Sequence, residues 1–449
     1  MKRTIRNLFH LTPAQVIASY YFLTITISFL LLRLPGVHKQ GETLSYIDSL
    51  FTAVSAVSVT GLSVTDISTT YTTFGLVLLL FIMQIGGIGI MSIGTFLWIL
   101  LGKRIGLRER QLIMTDNNQS QLAGVVKLIR NIVTILLLIE LIGATILTIF
   151  FLPYYDGLSE AMFQGVFASI AATTNSGFAI TGSSYLPFAD HYGIQIVTMI
   201  LITLGAIGFP VLMEVKEYFA RNQEFFRFSL FTKITVSTFG FLLVGGTAVI
   251  LLLESFGAFK GVSWHETLFG AMFHSVSSRS GGLTTIDITT FGEPTNLFMS
   301  VLMFIGASPS SAGGGIRTTT FAIVILFLIQ FARGKNVIQL FGREIETTDV
   351  FRAFAVILLA GIMVVISMMV MMVTESGASA IQILFEITSA FGTCGMSLGL
   401  TEDLSGIGKF LIMFLMFIGR VGLISFLFTI GGKSHKAKFH YPKERVIIG

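Results

Sequence analysis

The sequence predicts an all-α membrane protein made of four copies of one unit. Three observations carry that prediction: a composition too apolar for a soluble chain, paired long apolar stretches with a short one inside each pair, and a glycine-bearing turn that recurs at near-equal spacing. Of 449 residues, 53% are apolar and only 12% are charged, with a mean hydropathy of +0.83, whereas soluble domains carry roughly 25% charged residues. The single cysteine, Cys394, excludes an intramolecular disulfide framework and any cysteine-based zinc or iron–sulfur site. The aliphatic and aromatic content excludes disorder, and no long charged or repetitive tract offers a tail for nucleic acid.

Eight stretches are long enough to cross a hydrocarbon core of about 30 Å, which takes roughly 20 helical residues. They cover 14–34, 74–101, 132–153, 194–215, 229–253, 297–330, 353–373 and 407–430. The first is too long for a signal-peptide core and lacks a small-residue cleavage site, so it is expected to remain as a span. Inside each pair lies a shorter apolar segment: 48–59, 159–173, 263–277 and 378–391. As helices these reach only about 18 to 23 Å at 1.5 Å per residue, too little to cross. They are expected to be re-entrant, and backbone that ends at membrane depth must face protein or a water-filled cavity.

Lysine and arginine set the orientation. The N-terminus, the loops 102–131, 216–233 and 331–352, and the tail from Lys433 hold 22 of the 29, against Arg33, Lys39, Lys260 and Lys409 in the opposite loops. Both termini are therefore expected to be cytoplasmic, with the short segments entering from outside. Each basic loop reads either as a solvated positive-inside flank or as a docking surface for a partner.

The short segments end in matched turns: Val59-Thr60-Gly61, Asn175-Ser176-Gly177, Ser280-Gly281-Gly282 and Thr393-Cys394-Gly395. Their final glycines are 116, 105 and 113 residues apart, close to a quarter of the chain, and a phenylalanine precedes each by nine or ten positions (Phe51, Phe167, Phe273, Phe385). The bland reading of such turns is a set of helix C-caps. The repetition instead divides the chain into 1–117, 118–220, 221–340 and 341–449. Each division holds a span, a short helix, a turn and a second span, a building rule common in transport proteins.

The chemistry of four such turns follows from the cost of a bare cation in low dielectric, tens of kcal/mol on the Born estimate. Backbone carbonyls can replace its water. Glycine allows the dihedrals that aim successive carbonyls at an axis and leaves the axis open. The short helices would point their negative C-terminal ends at the ion, while Asp48, Glu160 and Glu266 suit their positive starts. The predicted fold class is thus eight transmembrane helices and four re-entrant pore helices in a fourfold pseudosymmetric single-chain pore, with the twelve turn residues as its cation filter.

One stretch breaks the pattern. Residues 297–330 would extend about 51 Å as one helix, and the run Gly306-Ala307-Ser308-Pro309-Ser310-Ser311-Ala312-Gly313-Gly314-Gly315 interrupts it. The run is too flexible for a helix and too polar for lipid. It is read as an intramembrane loop below the filter that obstructs the ion path, against the plainer readings of a proline kink or a surface linker. This break is expected to be unique to the third unit. Arg420 lies mid-span, where insertion costs roughly 2.5 to 3.5 kcal/mol. It is expected either to bond the loop carbonyls and hold the path shut or to pair with a buried carboxylate. Arg279 is expected behind the filter, paired with Glu386. Glu140 reads as a structural partner for a serine, threonine or arginine, His265 and His274 as packing residues, and Cys394 as turning its side chain into the wall.

Gly61, Gly177, Gly282 and Gly395, with the segment 306–320 and Arg420 inside Gly419-Arg420-Val421-Gly422, resemble the Trk/Ktr/HKT superfamily of potassium and sodium transporters over nearly the whole chain. The compact length is similar to that of the membrane subunit of a bacterial Ktr uptake system. The resemblance implies a homodimer in the cell membrane with one pore per subunit. It also implies a cytosolic ring of nucleotide-binding regulatory subunits controlling the loop, of which Arg317 is then part of the gate. Gly61, where serine tends to accompany sodium preference, implies potassium as the transported ion; Ser176 and Gly281 depart from the strict pattern and leave sodium as the alternative. No covalent cofactor is implied, and nucleotide would act only through the partner.

An enzyme is not indicated. No nucleophile–base set has a recognisable spacing, and Gly315-Ile316-Arg317-Thr318 lacks the lysine of a phosphate loop. A solute carrier with rocking halves would show two related halves, where four quarters match here; a membrane scaffold would leave the turns unexplained.

Overall fold

In a computed structural model of the chain, residues 12–41, 44–89, 125–220, 226–335, 337–423 and 425–427 are described, with single positions among 92–114 and at 444. The first unit holds α1 (Pro13–Leu32), α2 (Tyr46–Ser58), the short α3 (Ile67–Thr70) and α4 (Thr73–Ile88). The second holds α5 (Val125–Phe151), α6 (Leu158–Thr174), α7 (Tyr192–Ala206) and α8 (Phe209–Ala220). The third holds α9 (Leu230–Glu254), α10 (Trp264–Ser277), α11 (Glu293–Ile305) and α12 (Thr318–Ala332). A two-stranded antiparallel hairpin, Gln339–Leu340 with Arg343–Glu344, leads into the fourth. There follow α13 (Thr347–Thr374), α14 (Ala380–Gly392), α15 (Leu400–Asp403) and α16 (Gly406–Val421).

The short helices α2, α6, α10 and α14 run 13, 17, 14 and 13 residues and match the expected segments to within two residues. Local chemistry starts three of them alike. Ser45, Ser263 and Ser379 accept the N–H groups of Asp48, Glu266 and Gln382 through their hydroxyls, the N-cap pattern that satisfies an orphan donor. The recurring phenylalanines are the core of the assembly: Phe51, Phe167, Phe273 and Phe385 are all buried. Each short helix is thereby anchored by a side chain too large to shift without repacking.

Among the described residues, four helical stretches are long and apolar enough to cross a membrane: Ala14–Leu32, Val126–Tyr154, Leu230–Glu254 and Thr347–Thr374. They form the first span of every unit. Their outward faces carry apolar side chains such as Phe22, Leu141, Phe241 and Leu358, as a lipid-facing surface requires.

The second long helix of every unit stops at a break, and in the second unit as in the third another helix follows it, which corrects the expectation that the third break is unique. It breaks at a positive-φ glycine each time: Gly89 (φ 96°), Gly208 (φ 102°), Gly306 (φ 64°) and Gly422 (φ 88°). In the second unit α7 and α8 meet at a bend of 103°. The sequence writes this break four times, as Gly86-Gly87-Ile88-Gly89, Gly205-Ala206-Ile207-Gly208, Met303-Phe304-Ile305-Gly306 and Gly419-Arg420-Val421-Gly422. The first glycine of three of these quartets lets the exit helix lie directly on a short helix. A Cβ at Gly86, Gly205 or Gly419 would collide with the carbonyl oxygen of Val57, Thr173 or Phe391, each two residues before its turn. Apolar periodicity runs straight through such a break, because the residues beyond it are again apolar. What distinguishes the third unit is length, since 306–317 separates its two half-helices. Most of 74–101 and 407–430 beyond the breaks, and most of the loop 102–131 and the tail, lie outside the described residues.

Candidate cation site

Three of the four turns share one backbone shape. Val59 (φ 57°), Asn175 (φ 57°) and Thr393 (φ 49°) cap their helices in the left-handed region, which costs an L-residue roughly 1–2 kcal/mol. The next N–H reaches back five residues to hold that shape: Thr60 to Ser55 O (2.8 Å), Ser176 to Ala171 O (2.9 Å) and Cys394 to Ser389 O (2.9 Å). In the first and fourth units the glycine N–H is then seated on a serine hydroxyl, Gly61 on Ser55 and Gly395 on Ser389, both at 3.1 Å. The third turn is built differently. Ser278 stays right-handed, and the N–H groups of Gly281 and Gly282 both reach Ser277 O, at 2.7 and 3.2 Å. The turns are therefore helix C-caps and also something more.

The four glycines, more than 100 residues apart in sequence, meet. A Cβ on Gly61 would lie 2.7 Å from Gly177 Cα, and one on Gly177 would lie 3.0 Å from both Thr60 O and Cys394 O. One on Gly282 would lie 2.8 Å from Gly177 Cα, and one on Gly395 would lie 3.1 Å from Gly61 Cα. The carbonyl oxygens lining this point belong to Thr60, Ser176 and Cys394, the middle residues of three turns. Side chains stay out of it. Cys394 Sγ turns to Ser277 O (3.4 Å), Ser280 Oγ donates to Thr393 O (3.2 Å), and Gly281 faces Ile202 instead of the centre. On one side all four glycines open into a cavity of about 470 Å³. Asp66, Asp287 and Glu402 line it, and lysine and arginine do not.

The segment 306–315 packs against the other side. A Cβ on Gly313 would touch Ser280 and one on Gly314 would touch Thr393, so the loop lies directly against the third and fourth turns. Its neck is closed by Gly306 on Gly315 and by the bond from Ala307 N–H to Gly314 O (3.0 Å). The broken second-unit helix supplies the docking edge. Ser308 N–H donates to Ala206 O (3.0 Å), Ala312 N–H to Gly205 O (3.0 Å), and Phe209 N–H to Ser310 O (2.7 Å); these are backbone groups that an unbroken helix would have used internally. The O of Pro309 lies over Gly208, and Ser311 Oγ donates back to Ser308 O (2.7 Å).

Three arginines complete the loop's hold. Arg420 donates to Ala312 O and, on its other side, to Gly86 O and Gly87 O, the last at 3.0 Å. It thus joins the loop to the first and fourth units. Arg317 donates to Gly313 O and Ser308 O. Arg279 is fully buried, donates from Nε and Nη2 to Gly306 O (3.1 and 2.9 Å) and stacks over Phe239 at 4.3 Å. Its expected pairing with Glu386 does not occur; that carboxylate accepts from Ser397 and Thr401. Position 279 extends the last turn of α10 toward the break, so the side chain reaches the loop's neck and not the neighbouring pore helix. Nothing in the spacing of Arg279 signalled this contact. By contrast, the Gly-x-Ile/Val-Gly pattern, present in the first, second and fourth units, was available in the sequence and marks both Arg420 and the docking edge.

Remaining polar residues tie the units together. Gln84 donates to both carboxylate oxygens of Glu140 (3.0 and 2.9 Å), an amide where a serine, threonine or arginine was expected, while Ser169 Oγ donates to the backbone O of Glu140 (2.7 Å). Lys409 pairs with Asp48 at 2.7 Å, and Tyr192 meets His265 at 2.6 Å. His274 bonds Gly270 O within its own helix at 2.8 Å.

A repeat of long apolar helix, short helix and a helix that ends at a glycine, around converging glycines, is the architecture of a membrane transport protein. The chain belongs to the TrkH cation transport protein family, which matches residues 7–437. It is 52% identical over 439 residues to Ktr system potassium uptake protein D of Bacillus subtilis (strain 168), covering 98% of each chain. To Ktr system potassium uptake protein B of the same organism it is 36% identical over 442 residues, covering 98% and 97%. Its fold is that of the crystal structure of the potassium transporter TrkH from Vibrio parahaemolyticus, with a TM-score of 0.74 at 17% identity over 92% of this chain and 83% of that one.

Proposed function

We propose that this chain carries potassium into the cell through the point where its four glycines meet, and that the loop 306–315, held by Arg317 and Arg420, gates the passage. The observation that carries the reading is the convergence of four sequence-distant turns on one place bordered by backbone oxygens. Carbonyl dipoles can replace a hydration shell there with no side chain in the way. The acidic cavity beyond would concentrate cations at the entrance. The potassium uptake named for both Bacillus relatives supports the choice of ion, as does glycine at position 61.

In this reading the pore occupies the cell membrane as eight spans and four re-entrant helices, in the four units bounded at 117, 220 and 340, with both termini in the cytoplasm. Two copies assemble, each with its own pore. A cytosolic nucleotide-binding ring docks on the basic loops and tail and acts on the loop. The Ktr system names of the relatives support such a partner. Sodium is the second reading, favoured by one feature: the third turn lacks the left-handed cap of the other three, so the oxygen cage is not fourfold.

Expression in a cell lacking potassium uptake tests the proposal. Growth at low potassium is expected to return with this chain and to improve when a regulatory partner is co-expressed. Rescue of sodium-limited but never of potassium-limited growth would overturn the choice of ion.

A further inference from the structure

On the opposite side of the loop from Ser280 and Thr393 lies a second cavity, of about 120 Å³, whose charge does not suit a cation. Its lining includes Arg317, Arg420, Thr320, Ser311 and the break glycines Gly89 and Gly422. Among the described residues no aspartate or glutamate lines it. Among the described residues the ion pairs are Arg352–Asp349 and Lys409–Asp48, so two guanidinium groups share this space with no counter-charge. Arg420 is 7% exposed, and its Nε has no hydrogen-bond partner.

A third source of positive potential opens onto the same place. Helix α12 begins at Arg317, which has φ 74°, and no side chain caps its first turn; Thr320 in that turn lines the cavity. Thr318 N–H already donates to Ala307 O (3.2 Å), but a helix start without a side-chain cap keeps its next N–H groups and a partial positive charge, the usual setting for an oxyanion. Two planar guanidinium forks beside it match the several acceptor oxygens of a phosphate. The space is several times that needed for one water molecule, and a single halide would leave most of these donors unmet.

We infer that this cavity binds a phosphate group, clamped by Arg317, Arg420 and the start of α12, and that its occupancy favours the closed loop. Both arginines reach the cavity while bonded to loop carbonyls. An anion that needs them there binds the closed arrangement better and shifts the equilibrium toward it. The donor would be either free inorganic phosphate or the headgroup of an anionic phospholipid. The inference rests on the loop's geometry and not on which ion is carried.

The test uses the full chain and reads binding, not transport. Inorganic phosphate at millimolar concentration is expected to raise the melting temperature of the detergent-solubilised protein by a few degrees above chloride at equal ionic strength. Arg317→Gln is expected to abolish the rise. So is Thr320→Glu, whose carboxylate would supply the missing charge and itself stabilise the helix start. If a lipid is the source, inorganic phosphate has no effect. Phosphatidate is then retained through delipidation, as counted by native mass spectrometry, and is lost in both variants. An equal response to chloride, a phosphate or phosphatidate response that survives both substitutions, or no response to either probe would overturn the inference.

Discussion

Gly282→Ala is expected to stop potassium flux in a protein that still reaches the membrane. Gly282 has φ 68°, and an added methyl would strike Cys394 O and stand 2.8 Å from Gly177 Cα. Both neighbours are backbone, held by their own helix caps, so neither can swing aside as a side chain would. Gly61→Ala and Gly395→Ala meet the same obstacle, the oxygens of Ser176 and Thr60. Gly177→Ala does not, because its closest atoms lie at 3.0 Å and a small adjustment relieves them. With the left-handed backbone alone costing an alanine about 1–2 kcal/mol, the three severe variants are expected to lose flux at least about 100-fold and Gly177→Ala about tenfold. Tracer uptake into proteoliposomes at matched protein content checks the order. Equal loss at all four positions would mean that the effect is misfolding and not crowding of the oxygen ring.

Arg420→Gln is expected to raise basal flux without the regulatory partner. The guanidinium spans two sets of acceptors, Ala312 O in the loop and Gly86 and Gly87 O at the end of α4. Glutamine is too short to reach both. A hydrogen bond from a charged donor contributes about 1.5–3 kcal/mol, so the loop's closed-to-open ratio is expected to fall about 10- to 100-fold. Arg420→Lys keeps the charge and loses the fork, and an intermediate flux is expected. Thiol labelling gives a second readout, because the single native cysteine, Cys394, is fully buried. A cysteine introduced at Ser310 is expected to react faster in the Arg420→Gln background. Unchanged flux and unchanged labelling in a folded variant would remove Arg420 from the gate.

The sequence was most legible where the chemistry repeats. The short helices declare themselves by length, by serine at three of their starts and by acids in the first turn; the turns declare themselves by glycine at a fixed interval. The exit helices also repeat, but in the first, second and fourth units residues on both sides of the break are apolar and the period continues. There only the glycine pair three residues apart marks the bend. The contacts of Arg279 and Glu140 were out of reach for another reason. Both partners, Gly306 O and Gln84, come from elements far away in the chain, and a buried arginine satisfied by a carbonyl leaves no opposite charge to search for. Position 420 stands out once the four quartets are aligned, since its equivalents are Gly87, Ala206 and Phe304. One unit alone therefore carries a charge at the place where the loop must be held.

The central claim is that backbone oxygens from all parts of one chain surround the transported ion. Anomalous scattering from the protein prepared in thallium or rubidium, close mimics of potassium, tests it most directly. A peak is expected among the carbonyl oxygens of Thr60, Ser176 and Cys394, between Gly61, Gly177, Gly282 and Gly395, and absent when Gly282 is alanine. A peak held instead by carboxylates such as Asp66 or Asp287, with that ring empty, would contradict it.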